Sequence, residues 1–336
     1  MTISAIVPVW NGADLLRRLL ASLGAQTLPA EEWLVVDNGS EDDAPEVARR
    51  AGARVVSMGR NAGFAAAVNR GIREASGEFV AVLNSDVELS PAYFAQLAAR
   101  MAETDAWFAT GKILAAGSGT RIDGTFDAVC RGGTAYRVGH GQTDGPAFSA
   151  ARSIWSAPWT AALFRAGLFS RAGRLEESFE SYLEDVDFGL RCARHDLAGV
   201  YVPEALAWHR GSASLGRWHP ETVRRIARNQ VFLLARHFPA RFLRRRAWAI
   251  LVAQALWGAV ALRHGGGLAW ARGKWQGWRG FSAARKRAIQ GSELFEFDVL
   301  DQILSQNEDL IREAQAAGAR DWYWRMYFLL SGSGAK

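Results

Sequence analysis

The sequence predicts an α/β fold: a mostly parallel sheet flanked by helices, followed by a helical region of different character. Three observations predict it. Short apolar runs alternate with amphipathic runs through the first third. Short polar residues close each apolar run. Beyond about residue 216 the strands stop and Lys, Arg and Trp accumulate. Strand–helix alternation at this spacing lays parallel strands side by side with crossover helices between them.

The elements follow in order. Ile3–Val9 reads as a strand and Asp14–Leu23 as a helix. Trp33–Val36 is a strand, Glu41–Ala51 a helix, Arg54–Ser57 a strand and Phe64–Ala75 a helix that ends at Gly77. Glu78–Leu83 is a strand closed by Asn84-Ser85-Asp86. Residues 111–145 are glycine-rich and read as loops or hairpins. Arg152–Arg165 and Glu180–His195 read as helical or mixed, and Val200–Val202 as a short strand extended by Pro203–Trp208. Pro220–His237 and Arg241–Arg263 read as two basic helices, Gly265-Gly266-Gly267 as a break, and Glu296–Ala317 as one of two or three further helices. The expected division is an α/β domain over 1–215 and a basic, Trp-rich helical region over 216–336.

Composition narrows the setting. The chain has 336 residues, 49% hydrophobic and 22% charged, which excludes a disordered chain. Two cysteines, Cys130 and Cys192, make neither a disulfide framework nor a Cys-x-x-Cys metal site, so a reducing, cytoplasmic compartment fits. The first residues lack the basic start of a secretory leader. The net charge of +6 is uneven: from Thr222 to Ser292 there are fifteen Lys or Arg and no Asp or Glu, together with five tryptophans. Cations with tryptophans and no acids suit an anionic membrane surface. Ala247–Leu262, apolar but shorter than the roughly 20 residues needed to span a bilayer, suits a helix lying in the interface, with a buried core helix as the other reading. The same apolar run argues against a nucleic-acid partner.

Open parallel sheets bind ligands at the carboxyl ends of their strands. Here those ends carry Asn11, Asp37-Asn38, Asn61, and Asn84 with Asp86. Neither Gly-x-Gly-x-x-Gly nor a Gly-Lys-Ser/Thr loop is present, so a divalent cation is the simplest holder for a diphosphate. Asn84-Ser85-Asp86 offers one carboxylate for such a cation, although the same triplet is common turn chemistry. Glu184-Asp185-Val186-Asp187 sets three carboxylates within four residues. Ser181 and Glu184 have the spacing of a helix capping box, but one cap needs one acid, not three. A carboxylate at a helix N-terminus is held ionised and can take a proton from an attacking hydroxyl. His209 precedes Arg210–Gly216, a glycine-bounded segment that reads as a lid, and imidazole is a regular metal ligand.

Taken together these residues resemble family 2 glycosyltransferases of the GT-A fold, especially the rhamnosyltransferase-like branch. The resemblance runs from Ile6 to about Pro239. It rests on Val7-Pro8-Val9-Trp10-Asn11, Val35-Val36-Asp37-Asn38-Gly39-Ser40, Asn61-Ala62-Gly63-Phe64 with Asn69-Arg70-Gly71, Asn84-Ser85-Asp86, Glu184-Asp185-Val186-Asp187 with Leu190-Arg191, and His209, all in family order. It implies that Pro8, Val9, Asn11, Asp37, Asn38, Asn61, Gly63, Phe64, Asn69, Asn84, Ser85 and Asp86 line a nucleotide-sugar site. Asp86 and His209 would then ligate Mg²⁺ or Mn²⁺, with Asn84 replacing the first Asp of the usual Asp-x-Asp. Asp185 is the expected base, with Glu184 the second choice and Asp187 a supporting residue. The implied reaction is inverting transfer from a nucleotide-diphosphate sugar, dTDP-rhamnose first, to a glycan or lipid-linked acceptor in cell-envelope polysaccharide synthesis. The enzyme would sit peripherally on the inner face of the plasma membrane. A nucleotidyltransferase acting on sugar phosphates is the enzymatic alternative, but Val9–Ala13 lacks its Gly- and Lys-rich loop. A non-catalytic nucleotide-sugar or nucleic-acid binder is the other alternative.

Overall fold

The computed structural model describes residues 1–211, 216, 218–290, 294–318 and 321–332. Its elements are β1 (Ile3–Val9), α1 (Ala13–Gly24), β2 (Glu32–Asp37), α2 (Ala44–Arg50), β3 (Arg54–Ser57), α3 (Phe64–Glu74), β4 (Phe79–Leu83), β5 (Val87–Leu89) and α4 (Tyr93–Thr104). Then come β6 (Phe108–Ala115), β7 (Ile122–Gly124), β8 (Asp127–Val129), β9 (Ala135–Arg137), β10 (Arg152–Ile154), β11 (Ala161–Arg165), α5 (Leu168–Ala172), α6 (Glu184–Arg194) and β12 (Gly199–His209). Among the described residues six helices follow: α7 (Pro220–His237), α8 (Ala240–Arg245), α9 (Ala247–Arg263), α10 (Gly267–Gln290), α11 (Phe297–Ala317) and α12 (Trp322–Leu330). Two compact units result, Met1–Phe126 with Gly139–Ser214, and Asp127–Val138 with Leu215–Lys336.

The first unit is a mixed sheet in the order β10-β12-β6-β11-β4-β1-β2-β3, with β5 on β12 and β7 on β6. β1 pairs in parallel with β2 and β4, and β2 with β3, so four strands deliver their carboxyl ends to one edge. β11 enters antiparallel between β4 and β6. The β1–β4 ladder stops at Ile6↔Val82, and Pro8 lies beyond it, where the ladder on that side no longer needs an amide donor. Helix α1 buries Leu16, Leu19, Leu20 and Leu23, the i, i+3, i+4, i+7 stripe of a core-facing helix. Together with Ala5, Val7 and Val9 of β1 these leucines form one cluster. Each buried leucine contributes about 1.5–3 kcal/mol.

Helix α3 approaches β1 so closely that a Cβ on Gly71 would stand 2.3 Å from the Ile6 Cγ2. Gly71→Ala is therefore expected to lower stability by about 1–3 kcal/mol through overpacking, measured by denaturant unfolding.

In the second unit, β8 and β9 form a two-stranded hairpin that packs with α9, α11 and α12. A Cβ on Gly132, in its turn, would stand 2.2 Å from the Ala253 Cβ. Arg131 pairs with Asp301 at 3.1 Å and with the fully buried Glu308 at 2.7 Å.

Three expectations are corrected. Arg152–Arg165 is two strands, not a helix: β11 is buried on both sides, and such a strand shows the unbroken apolar run of a buried helix. The strand expected over Val200–Trp208 starts at Gly199 and takes in His209 as its last residue, with a register shift between Val202 and Leu206. Arg241–Arg263 breaks at Arg246, giving α8 and α9.

Candidate active site

The loops at the sheet's carboxyl edge are tied to one another. The Asn38 amide donates to Val9 O at 2.8 Å, locking the end of β2 to the end of β1. Asp37, 7% exposed, accepts the Ser40 amide at 2.9 Å. Asn11 adopts φ 61°, and its side chain accepts the Glu41 amide at 2.8 Å while its own amide donates to Ser40 Oγ at 2.9 Å. The Asn38 side chain donates to Asn61 Oδ1 at 3.1 Å and accepts the Ala62 amide at 2.8 Å. So Pro8, Val9, Asn11, Asp37, Asn38 and Asn61 share one tied rim.

The next loop reaches the acid-rich segment. Gly63 has φ +91°, and a Cβ there would stand 3.0 Å from Glu180 O, so only glycine fits without displacement. The Ala65 amide donates to the same carbonyl at 3.1 Å, and the Phe64 amide to Ser181 Oγ at 3.5 Å. Asn69 is engaged elsewhere: its amide side chain bonds Leu175 O at 2.8 Å, the Leu175 amide at 3.0 Å and Glu177 Oε1 at 2.9 Å. It ties α3 to the chain leading into that segment.

Glu180, Tyr182 and Leu183 all have positive φ, at 61°, 72° and 68°. Bulky residues in the left-handed region store strain, and such strain concentrates at functional sites. Helix α6 starts immediately afterwards with Glu184, Asp185 and Asp187 in its first turn. Their environments differ. Asp187 is fully buried and pairs with Arg191 at 3.1 Å; Arg191 also donates to Arg174 O at 2.8 Å and to Ala172 O. Asp187 therefore holds the helix. Glu184 is buried, and Asp185 is the half-buried acid of the three. Asp185 Oδ1 accepts the Val186 amide at 2.9 Å, at the positive end of the helix. The Ser156–Thr160 stretch touches both halves of the site, through Ser156 Oγ to Asp185 O at 3.4 Å and the Asn84 amide to Thr160 O at 2.9 Å.

The antiparallel pairing of β5 with β12 sets His209 opposite Val87 and brings Asp86 and His209 together. His209 Nε2 lies 3.1 Å from Asp86 Oδ1. On its other side, Nδ1 lies 2.8 Å from Asp123 Oδ2. Asp123 was not among the residues singled out from sequence; it reaches the site because β7 pairs with β6, and Ile122-Asp123-Gly124 looks like any turn-flanking aspartate. Burial opposes charge on the ring, yet the hydrogen bonds and charges of Asp123 and Asp86 outweigh it and push the imidazole up to about 9. A raised basic group stabilises the fold fully below its ordinary value near 6.5 and loses that contribution as pH rises through about 9. In metal-free buffer the melting temperature of His209→Gln should therefore trail the parent at pH 6 and approach it by pH 9.5.

Among the described residues no group of three or more His, Cys, Asp or Glu is arranged to chelate a metal. Asp86 and His209 are a pair. Of the expected lid, residues 212–215 lie outside the described residues.

Two solved structures share the architecture. One is GalNAc-T7 with UDP, GalNAc and Mn²⁺ (TM-score 0.58, 13% identity, 87% of this chain and 58% of that one). The other is the mannosyltransferase PcManGT of Pyrobaculum calidifontis with GDP-Man and Mn²⁺ (TM-score 0.53, 16% identity, 99% and 88%). At these identities the likeness speaks for the fold, which is GT-A, with a helical region after it. A sequence profile and a relative of 30% identity make the chain a glycosyltransferase. It belongs to glycosyl transferase family 2, whose sequence profile matches residues 4–172. Among its relatives is the N-acetylglucosaminyl-diphospho-decaprenol L-rhamnosyltransferase of Mycobacterium tuberculosis H37Rv, 30% identical over 226 residues, 60% of this chain and 74% of that one. The uncharacterized glycosyltransferase YibD of Escherichia coli K12 is 33% identical over 108 residues, 31% of each chain.

Proposed function

We propose that the chain is a metal-dependent, inverting glycosyltransferase. In this reading it moves a sugar from a nucleotide-diphosphate donor, dTDP-rhamnose first, to a hydroxyl of a glycan or lipid-linked saccharide in cell-envelope polysaccharide synthesis. The mycobacterial relative supports the choice of rhamnose and of a lipid-linked acceptor through what its name says of it. The setting is the cytoplasm, with peripheral contact at the inner face of the plasma membrane; two buried cysteines left as free thiols suit it.

The observation that carries the reading is the 3.1 Å separation of Asp86 Oδ1 and His209 Nε2. Neighbouring ligands on one octahedral cation, each about 2.1 Å from it, stand about 3.0 Å apart. With Nδ1–H directed at Asp123, Nε2 is the nitrogen left for a cation, which would displace the proton that Nε2 shares with Asp86 in the metal-free protein; an outer carboxylate orients a ligating histidine in this way. Two protein ligands suffice where substrate phosphates and water complete the shell. Asp86 and His209 would hold Mg²⁺ or Mn²⁺, which offsets charge growing on the departing diphosphate. Asp37 and Asn38 would hold the nucleoside, and the Asn61–Phe64 loop the sugar side of the donor. Asp185 takes the proton of the acceptor hydroxyl as that oxygen attacks the anomeric carbon from the face opposite the nucleotide.

A panel of nucleotide sugars tested by thermal shift with each cation is the check. Donor at about 100 times its Kd stabilises by about 2.7 kcal/mol, a rise of several degrees. That rise is expected for at least one nucleoside-diphosphate sugar and only with Mg²⁺ or Mn²⁺ present. No response to any donor with either cation overturns the reading.

A further inference from the structure

We infer that the outward sides of α9 and α10 dock on the surface of an anionic lipid bilayer, with α9 lying in the plane of the interface. The inference rests on the proposed lipid-linked acceptor for its purpose, while the binding itself requires no sugar transfer.

Helix α9 is apolar on every side save for Gln254, with no charged residue before Arg263. Such a helix is ordinarily enclosed on every side. This one buries Ala249, Val252, Ala253, Gly258 and Ala261 and leaves Trp248, Leu251, Ala255, Ala259 and Leu262 exposed. The exposed set runs along one stripe about 21 Å long. It continues at both ends. The Trp248 indole donates to Leu330 O at 2.8 Å, which sets the exposed Leu329 and Leu330 of α12 beside the start of α9. At the other end, exposed Leu262 packs against the turn into α10, where Leu268 is 90% exposed. A continuous exposed apolar strip of this kind marks an interaction site.

The rotation of α10 is fixed by its glycines. A Cβ on Gly273 would stand 2.2 Å from Arg224 O of α7, and one on Gly277 2.7 Å from the Val231 Cβ. With that side pressed on α7, Leu268, Trp275 and Trp278 face outward beside the exposed Arg272, Arg279 and Lys286. The Arg279 guanidinium lies 4.6 Å from the centre of the Trp275 ring, a pairing of cation and indole suited to the headgroup layer.

Charge complementarity selects the partner. No Asp or Glu occurs from Thr222 to Ser292, and cations flank the apolar stripe at Arg244, Arg245 and Arg263. Anionic headgroups satisfy those cations while the acyl boundary takes up the leucines and tryptophans. A phosphodiester backbone would leave Leu251 and Leu262 unburied. Among the described residues no helix is long and apolar enough to cross a membrane, so the helix lies on the bilayer rather than through it.

The test is co-sedimentation of the full chain with vesicles of phosphatidylglycerol and phosphatidylcholine, beside phosphatidylcholine alone. The expected result is binding to the anionic vesicles that falls at least tenfold when salt rises from 0.1 to 1 M. It should fall a further tenfold or more in the double variant L251S/L262S, whose substitutions lie on the surface. Unchanged melting of that variant, and unchanged nucleotide-sugar response, establish that it folds. Failure of the parent to bind anionic vesicles while it still responds to a nucleotide sugar overturns the docking and leaves the transferase reading standing. Self-association lost in the double variant without lipid binding, or salt-sensitive DNA binding unaffected by it, equally overturns the docking.

Discussion

Asp185→Asn is expected to lower kcat by roughly 10³-fold while leaving the nucleotide-sugar Kd within about threefold of the parent, since general-base catalysis is worth about 10²–10⁴-fold and this residue is assigned no donor contact. The assignment separates three neighbouring acids by what surrounds them. Asp187 is fully buried against Arg191 and unreachable by an acceptor. Glu184 is buried as well. Asp185 combines partial exposure with a position at the positive end of α6. Glu184→Gln should therefore cost less in turnover. Asp187→Asn should act instead on melting temperature, because it leaves Arg191 buried without its countercharge. Single-turnover transfer assays beside donor calorimetry make the distinction. Turnover by Asp185→Asn within tenfold of the parent would remove it as the base.

Asp86→Ala is expected to abolish the cation dependence of donor binding, with a loss of affinity of about 100-fold or more. Asn84 supplies no charge at the position two residues earlier, so Asp86 is the carboxylate of that turn. The loss should appear in calorimetry as identical donor titrations with and without Mn²⁺. Asp123→Asn gives a graded version of the same defect. It keeps the shape of the side chain but loses the charge that holds His209, and outer carboxylates of this kind change metal affinity by about 10–100-fold. Donor binding by Asp86→Ala that still responds to Mn²⁺ would remove Asp86 from the cation site.

The parts of this arrangement differ in how openly the sequence displays them. In the first third, parallel strands and crossover helices repeat at short spacing, and β1 and β3 fall on the expected residues. Helix α7 does too, because Pro220 at its start and Pro239 just past its end punctuate the chain. Legibility fails where one side of a strand no longer differs from the other. β11 is apolar on both, and β10 is only three residues long. The site shows the same contrast. Asp86, His209 and the Glu184–Asp187 cluster stand out as unusual residues at strand or helix ends. Asp123 does not, because what matters about it is its meeting with His209, 86 positions later, which no local pattern encodes.

The β8–β9 hairpin bears on how the protein can be dissected. It leaves the chain in the midst of the sheet-bearing part yet takes its packing from residues more than a hundred positions later, through Arg131 with Glu308 and Gly132 with Tyr327. An excised fragment ending near residue 215 would carry this hairpin with its anchoring arginine and buried Cys130 and Thr134 stripped bare to solvent. Expression of such a truncation should yield aggregate, whereas a chain that keeps α9, α11 and α12 retains the hairpin's cover.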